Sequence, residues 1–268
     1  MATLGVLGAG NMGSAIVRGL VKSENAAFAP SEIYVYRRTT SENERLAAEC
    51  GVHAVKSAEE LVDACDYILL AVKPVYCAQV LAPLKERLDG KVVVSIVTGW
   101  DYAQLTQSLS AGTRVVRVMP NTPLAVGSGM SLVAKGYTVT TQELAVAKAI
   151  FACAGDVVEI EDHAFNAAMG ISGCGPAFVY LFIEALADGG VRQGVPRALA
   201  YQLAAQTVLG AGKMVRETGK HPGELKDAVC SPGGTTIEGV YALEKSGFRA
   251  AVMDAVGFAC DKVNNLSK

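Results

Sequence analysis

The sequence predicts an α/β N-terminal Rossmann domain, with a doubly wound and mostly parallel sheet, followed by an all-helical C-terminal domain. Through about residue 160, short β-branched strands alternate with helical segments, and beyond that point only long helical segments remain. A Gly-x-Gly-x-x-Gly turn also stands at residues 8–13, directly after the first predicted strand. We therefore expect a nucleotide-binding domain at 1–160 and a helical dimerisation and substrate domain at 161–268.

Short apolar runs predict the strands of the first domain. They lie at 3–7, 33–36, 67–72, 92–97 and 114–119, and further runs at 129–134 and 157–160 extend the sheet. Helices are expected at 11–22, after a capping box that begins at Ser57, after Asp101 and from Thr141. This alternation of strands and helices is typical of a parallel sheet that is covered by helices on both faces.

The second domain is predicted as five helices, at 176–188, 196–218, 222–229, 235–245 and 248–263. The most apolar run, 177–187, is too short to span a bilayer and predicts a buried helix. The pair Gly189-Gly190 is expected to end that helix. The alanine- and glycine-rich helix at 196–218 either packs within one subunit or forms a dimer core, and the composition favours an interlocked oligomer.

Composition restricts the class of protein. With 51% hydrophobic and 19% charged residues, the 268-residue chain has the composition of a folded protein. A net charge of −2 gives no reason to expect nucleic acid or a membrane as a partner. Seven scattered cysteines without a C-x-x-C spacing predict neither a disulfide framework nor a metal site. Since no secretory signal is recognisable, a cytoplasmic location is expected.

The glycine turn predicts a dinucleotide site. Gly8 permits the tight turn, Gly10 lets the pyrophosphate approach the backbone, and Gly13 lets helix and strand pack closely. An NAD site usually carries an acid at the end of the second strand, but this chain has Arg37 and Arg38 there. Paired guanidinium groups suit a 2′-phosphate, so the expected cofactor is NADPH, with NADH as the alternative.

The loop Cys230–Thr236 lies between two predicted helices and is a candidate anion site. The backbone N–H groups of Gly233, Gly234 and Thr235 can bind a carboxylate, and the Thr236 hydroxyl can bond a ring nitrogen. Cys174, at a predicted helix start, is either a reactive thiol or a small residue in a tight turn, and the absence of a neighbouring histidine favours the second.

Two kinds of catalytic residue, a lysine and a histidine base, are not found in the sequence, and this restricts the class of substrate. Hydroxyacid dehydrogenases of the 6-phosphogluconate type carry a catalytic lysine one turn into the helix that corresponds to 177–182, and here there is none. None of the three histidines resembles a catalytic base. An imine, which accepts hydride readily once protonated, therefore suits the site better than an alcohol or ketone. A non-catalytic nucleotide sensor is the other alternative, and the intact loop opposes it.

The chain resembles the Δ1-pyrroline-5-carboxylate reductase family along nearly its whole length. The matching motifs are GVLGAGNMG near the start, AVKP at 71–74, MPNTP at 119–123, SGCGPAF at 172–178, ALADGGVRQGVPR at 185–197 and ELKDAVCSPGGTTIEGVYALE at 224–244. The last of these is the family signature. The resemblance implies reduction of a cyclic imine to L-proline with NADPH or NADH, by an interlocked homodimer that some members assemble further into a decamer.

The resemblance also implies roles for individual residues. Besides Gly13, the expected cofactor contacts are Leu7, Gly8, Ala9, Gly10, Asn11, Met12, Arg37, Arg38, Ala71, Val72, Lys73, Pro74, Ile96, Val97 and Thr98. The expected substrate contacts are Ser231, Gly233, Gly234, Thr235 and Thr236, of which Thr236 faces the imine nitrogen as the candidate catalytic residue. By spacing alone, Asp162 is expected to be an acidic substrate contact.

Overall fold

The structure, a computed structural model, describes residues 2–24 and 26–266. It consists of two units. One comprises the chain up to Cys174 together with the segment that begins at Ala259, and the other comprises Gly175–Phe258. The domain boundary after residue 160 stays a prediction: the last strand ends at Ile160, but the first unit continues to Cys174.

The first unit is built on a single eight-stranded sheet with the order β3-β2-β1-β4-β5-β6-β7-β8. The strands are β1 (Leu4–Leu7), β2 (Ile33–Tyr36), β3 (His53–Ala54), β4 (Tyr67–Leu70), β5 (Val92–Ser95), β6 (Arg114–Pro120), β7 (Gly129–Ala134) and β8 (Gly155–Ile160). All neighbouring strands are parallel except β6 and β7. The predicted doubly wound, mostly parallel sheet is therefore confirmed.

The strand order reverses at β1, which lies between β2 and β4. The chain goes first to one side of β1 and then to the other. In sheets of this kind, a crevice opens at the carboxyl ends of the strands beside the reversal, and ligands bind there. The turn that follows Leu7, the last residue of β1, consequently lies at the position where a nucleotide is expected.

Seven helices of the described residues accompany the sheet. They are α1 (Asn11–Lys22), α2 (Thr40–Cys50), α3 (Ala58–Ala64), α4 (Cys77–Leu81), α5 (Tyr102–Ser108), α6 (Thr141–Ala152) and α7 (Asp162–Ser172). The chain also forms short 3₁₀ turns, at Pro30–Glu32, Pro74–Tyr76, Ala82–Leu84, Glu86–Leu88 and Thr122–Val126. Helices α2 and α7 lie outside the sequence predictions. Helix α7 begins after Glu161, which is not a usual capping residue. At the start of α2, Thr39 and Glu42 have the spacing of a capping box, but the Thr39 side chain forms no cap bond.

Two apolar layers fix the central strands from both faces, since β1, β4 and β5 are buried along their whole length. One layer holds Ile16 and Leu20 of α1 with Phe151 of α6. The other holds Leu61 of α3 and Leu105 of α5. Strands buried on both faces cannot shift without losing apolar contacts on either side, so the loops at their carboxyl ends are held in fixed positions.

The second unit contains α8 (Gly175–Arg192), α9 (Arg197–Thr218), α10 (Pro222–Ala228), α11 (Thr235–Lys245) and the first part of α12 (Phe248–Leu266). Helices α8 and α9 pack through Ala187, Ala200 and Ala204. The prediction that Gly189-Gly190 ends α8 is wrong, because the helix continues to Arg192. A Cβ on Gly190 would lie 3.7 Å from Ala200 Cβ, so this glycine lets α9 approach closely.

The prediction of a buried helix at 177–187 is also wrong for the single chain. In α8, Tyr180 is 57% exposed and Leu181 is 66% exposed, and Leu209 of α9 is 62% exposed. By length and composition, the stretch Asp162–Arg192 is apolar enough to cross a membrane, but a turn at residues 173–174 divides it into α7 and α8. Large apolar side chains exposed together on neighbouring helices are typical of an interface.

Candidate active site

The turn after β1 is held against the neighbouring strand ends. The N–H groups of Gly8 and Ala9 both donate to the carbonyl oxygen of Tyr36, at 2.9 and 3.1 Å. Gly8 has φ +100°, which L side chains rarely adopt, and a Cβ there would lie 2.7 Å from Ala71 O. Only glycine can occupy this position without strain or a collision with the end of β4.

The other two glycines of the turn meet quite different surroundings. A Cβ on Gly13 would lie 2.7 Å from Gly8 O, so this glycine permits the close packing of α1 beneath the turn. A Cβ on Gly10 would meet nothing within 4 Å. Gly10 is also the N-cap of α1, and none of the described side chains caps that helix. The backbone at Gly10 therefore forms an open cradle at a helix N-terminus, which suits a phosphate group.

A cavity of about 420 Å³ lies on one side of this turn. Its lining is Leu7, Gly8, Gly10, Tyr36, Arg37, Arg38, Thr39, Ala58, Ala71, Val72, Lys73, Tyr76, Gln79, Val80 and Pro83. The Arg38 guanidinium lies over the Tyr76 ring, 4.7 Å from its centroid, while Arg37 is paired with Glu42. Two cations and an aromatic ring at a cavity mouth suit a nucleotide with an additional phosphate.

A second cavity, of about 660 Å³, also borders this turn. Among the predicted residues it is lined by Gly10, Asn11, Met12, Arg37, Ala71, Val72, Lys73, Pro74, Ile96 and Thr98. Residues that sequence reasoning missed complete the wall: Met119, Pro120, Asn121, Thr122, Met169, Gly173 and Val263, together with Cys174. Ala9 and Val97 are instead buried in the core, at 0% and 5% exposure.

Asn121 holds the wall of this second cavity together. Its side-chain amide donates to Ser172 O and accepts from Met130 N–H, both at 2.9 Å. The residue is 8% exposed, so both bonds are shielded from water. The amide thereby links the end of β6 to the last turn of α7. In the sequence, Asn121 lies in the MPNTP motif and is a polar residue directly after a buried strand.

Asp162 forms an ion pair with Arg117 of β6. The Arg117 side chain is 8% exposed and its guanidinium lies 4.6 Å from the centroid of the Phe165 ring and 5.4 Å from that of Tyr102. Burial raises the pKa of Tyr102 to about 12, and its hydroxyl donates to Ala134 O at 2.9 Å. These contacts anchor α7 on the sheet. That Asp162 contacts the substrate stays a prediction. In that case its carboxylate would bind both the substrate and Arg117.

The loop before α11 has the conformation of a tight turn. Gly233 has φ +67°, and the Gly234 N–H donates to Ser231 O at 3.0 Å. A Cβ on Gly234 would lie 2.4 Å from Ser231 Oγ and 3.1 Å from Ser231 O, so a larger residue there would displace the Ser231 side chain. No side chain caps α11 within the described chain. Of the predicted N–H donors Gly233, Gly234 and Thr235, that of Gly234 is thus already bonded. That of Thr235 lies in the first turn of α11, where N–H groups have no partner within the helix.

Comparison with known proteins agrees with both parts of the structure. Residues 162–266 match the family model for pyrroline-5-carboxylate reductase dimerisation, and residues 3–99 match the model described as NADP oxidoreductase, coenzyme F420-dependent. The pyrroline-5-carboxylate reductase of Escherichia coli (strain K12) is 44% identical over 266 residues, covering 99% of this chain and 98% of that protein. The chain belongs to the pyrroline-5-carboxylate reductase family. The family resemblance predicted from the sequence motifs is confirmed.

The pyrroline-5-carboxylate reductase family includes similar proteins from distant organisms. The Arabidopsis thaliana reductase is 42% identical and covers 99% of this chain and 95% of its own. The crystal structure of the Plasmodium falciparum reductase, which has NADP bound, superimposes with a TM-score of 0.90 at 35% identity and covers 100% of this chain and 98% of that one. The prediction of an NADP-type cofactor for this family is therefore confirmed, and the helical unit is an oligomerisation domain.

Proposed function

We propose that the protein reduces 1-pyrroline-5-carboxylate to L-proline with NADPH, the last step of proline biosynthesis, and that NADH can replace NADPH. The observation that carries this proposal is the 44% identity over 99% of the chain, which includes the intact loop before α11. The reaction adds a hydride to the imine carbon and a proton to the ring nitrogen. A substrate of this kind requires orientation and a hydrogen-bond partner more than a strong acid.

The cofactor site is assigned to the two cavities beside the glycine turn. When bound, NADPH supplies the hydride for the reaction. Gly10 and the N-terminus of α1 hold the pyrophosphate, because the backbone there is open and the helix end is uncapped. Arg37 and Arg38 bind the 2′-phosphate. The residues after β4 and β5 that line the second cavity, Ala71–Pro74 and Ile96–Thr98, are assigned to the nicotinamide half, although Val97 itself is buried.

The substrate site is assigned to the loop Ser231–Thr236. The first-turn N–H groups of α11 bind the ring carboxylate, and the positive end of the helix dipole stabilises it. Gly233 and Gly234 shape the turn. The Thr236 hydroxyl accepts or donates a hydrogen bond at the ring nitrogen and so orients the imine. A hydroxyl is too weak an acid to be the ultimate proton source, so its role is to hold and pass on a proton supplied by water.

Replacement of Thr236 tests this assignment. Thr236→Ala should lower kcat/KM for pyrroline-5-carboxylate by roughly 10- to 1000-fold, the range for one or two lost polar contacts. Thr236→Ser keeps the hydroxyl and should retain most of the activity. NADPH affinity, measured by calorimetry, should be the same in both variants. An alanine variant with the wild-type rate would remove Thr236 from the mechanism.

A single assay separates the proposal from its nearest competitor. We expect NADPH absorbance to fall when pyrroline-5-carboxylate is added, and no reduction of NADP⁺ when β-hydroxyacids are added. The first turns of α8, at 175–182, contain no lysine to take or give a proton at an alcohol oxygen. If a hydroxyacid reduced NADP⁺ and the imine were not turned over, the protein would instead be a hydroxyacid dehydrogenase. NADPH binding without any turnover would indicate a nucleotide sensor.

We also propose a cytoplasmic homodimer, formed by the helical unit, without a membrane or nucleic-acid partner. The support is the match to the dimerisation model and the exposed apolar side chains of α8 and α9, such as Leu181, Leu203 and Leu209. Leu203→Glu combined with Leu209→Glu should yield monomers in light scattering, because burying two unpaired carboxylates costs several kcal/mol. Light scattering of the wild type also distinguishes a dimer from the decamer that the resemblance implies for some members.

A further inference from the structure

Glu42 is the one exception in a pattern of helix starts. Four helices of the first unit begin with Ser, Thr or Asp followed three residues later by Glu or Gln. In three of them, the side chain of the N-cap residue accepts a hydrogen bond from the backbone N–H three residues later. These pairs are Ser57 with Glu60, Asp101 with Gln104 and Thr140 with Glu143. At Thr39–Glu42 this cap does not form, and the Glu42 carboxylate is instead paired with the Arg37 guanidinium.

This pairing puts an acid where the strand end lacks one. The second strand ends at Tyr36 and is followed by Arg37 and Arg38, so no acid stands at the usual position for a ribose 2′-hydroxyl. Glu42, in the first turn of α2, forms an ion pair with Arg37, and Arg37 lines both cavities. The Arg37 side chain is 28% exposed and that of Glu42 is 40% exposed, so both groups remain accessible to a ligand.

We propose that Glu42 sets the preference between NADPH and NADH. Its carboxylate repels a 2′-phosphate and competes with it for the guanidinium donors of Arg37. In NADH the same carboxylate accepts a hydrogen bond from the ribose 2′-hydroxyl. Arg38, which lies over Tyr76, is free of this competition and retains its attraction for phosphate. Glu42 therefore admits NADH at the expense of some affinity for NADPH. This inference rests on the cofactor site proposed above.

The test is the ratio of two dissociation constants measured by calorimetry on the full-length protein, without turnover. Glu42→Gln should lower Kd for NADP⁺ and raise Kd for NAD⁺, so that the ratio Kd(NAD⁺)/Kd(NADP⁺) rises by about tenfold or more, the scale of one charge-assisted hydrogen bond. Glu44→Gln is the matched control, since Glu44 is exposed on the same helix and its replacement changes the net charge equally. We expect its ratio to stay within about twofold of wild type, since exposed charges act weakly at a distance.

A double-mutant cycle shows whether the effect of Glu42 on cofactor binding depends on Arg37. With adenosine 2′,5′-bisphosphate as the probe, Glu42→Gln should strengthen binding in the wild-type background and have little effect when Arg37 is alanine. An unchanged ratio would overturn the inference. Weaker NADP⁺ binding by Glu42→Gln would also overturn the inference, because it would mean that Glu42 only orients Arg37. If Arg37→Ala with Arg38→Ala leaves both dinucleotide affinities unchanged, the cofactor site itself fails, and this inference fails with it.

Discussion

Gly8→Ala should destabilise the fold, whereas Gly10→Ala should weaken cofactor binding, although the two residues are only two positions apart. Gly8→Ala forces a side chain into φ +100° and brings its Cβ within 2.7 Å of Ala71 O. The backbone conformation alone costs about 1–3 kcal/mol, and the collision requires β4 or the turn to move. We expect a loss of about 2–4 kcal/mol in the free energy of unfolding.

Gly10→Ala should leave the fold nearly intact. Gly10 has φ −77°, which any residue adopts, and its Cβ would meet nothing within 4 Å. A change of N-cap residue from glycine to alanine costs under about 1 kcal/mol. The added methyl, however, occupies the space that we propose for the pyrophosphate. Affinity for NADP⁺ should therefore fall by about tenfold or more.

Thermal unfolding with and without NADP⁺ measures both defects. At a concentration of about 100 times Kd, the cofactor stabilises the wild type by about 2.7 kcal/mol, and a tenfold weaker Kd reduces this to about 1.4 kcal/mol. Gly10→Ala should thus melt like the wild type alone but gain much less from NADP⁺. If Gly10→Ala were destabilised as much as Gly8→Ala, or gained as much from NADP⁺ as the wild type, the assigned roles of the two glycines would be refuted.

Three further predictions concern charge. Arg37→Ala with Arg38→Ala should raise KM for NADPH far more than KM for NADH, and equal increases would oppose the assignment of the 2′-phosphate. Asp162→Asn should lower the free energy of unfolding by about 1–3 kcal/mol in denaturant titrations, because Arg117 loses its partner while 8% exposed; an unchanged midpoint would mean that the pair is not stabilising. Burial raises the pKa of Cys77 from 9.0 to about 12, so the folded state favours the neutral thiol. Stability should be full below about pH 9 and fall towards pH 12, and Cys77→Ala should make that fall shallower.

The fold and the position of the glycine turn were predictable because they depend on local signals. The strand at Ile33–Tyr36 and the helix at Asn11–Lys22 occur at the predicted bounds. Apolar runs, capping residues and glycine turns act over a few residues, so they can be recognised without knowledge of the tertiary structure. The helical second unit was recognised for the same reason, although α8 continues through Gly190, where a neighbouring helix approaches closely.

By itself, the sequence determined the class of fold, the family and the position of the glycine turn. Only the tertiary structure decided which side chains meet across the chain. Arg117 and Asp162 are 45 residues apart, and Asn121 reaches Ser172 across 51 residues. Glu42 has the spacing of a helix cap but pairs with Arg37 instead. A short-range pattern sets which residues form an element, whereas the partner of a charged or amide side chain depends on where the elements pack, and that is a property of the whole fold.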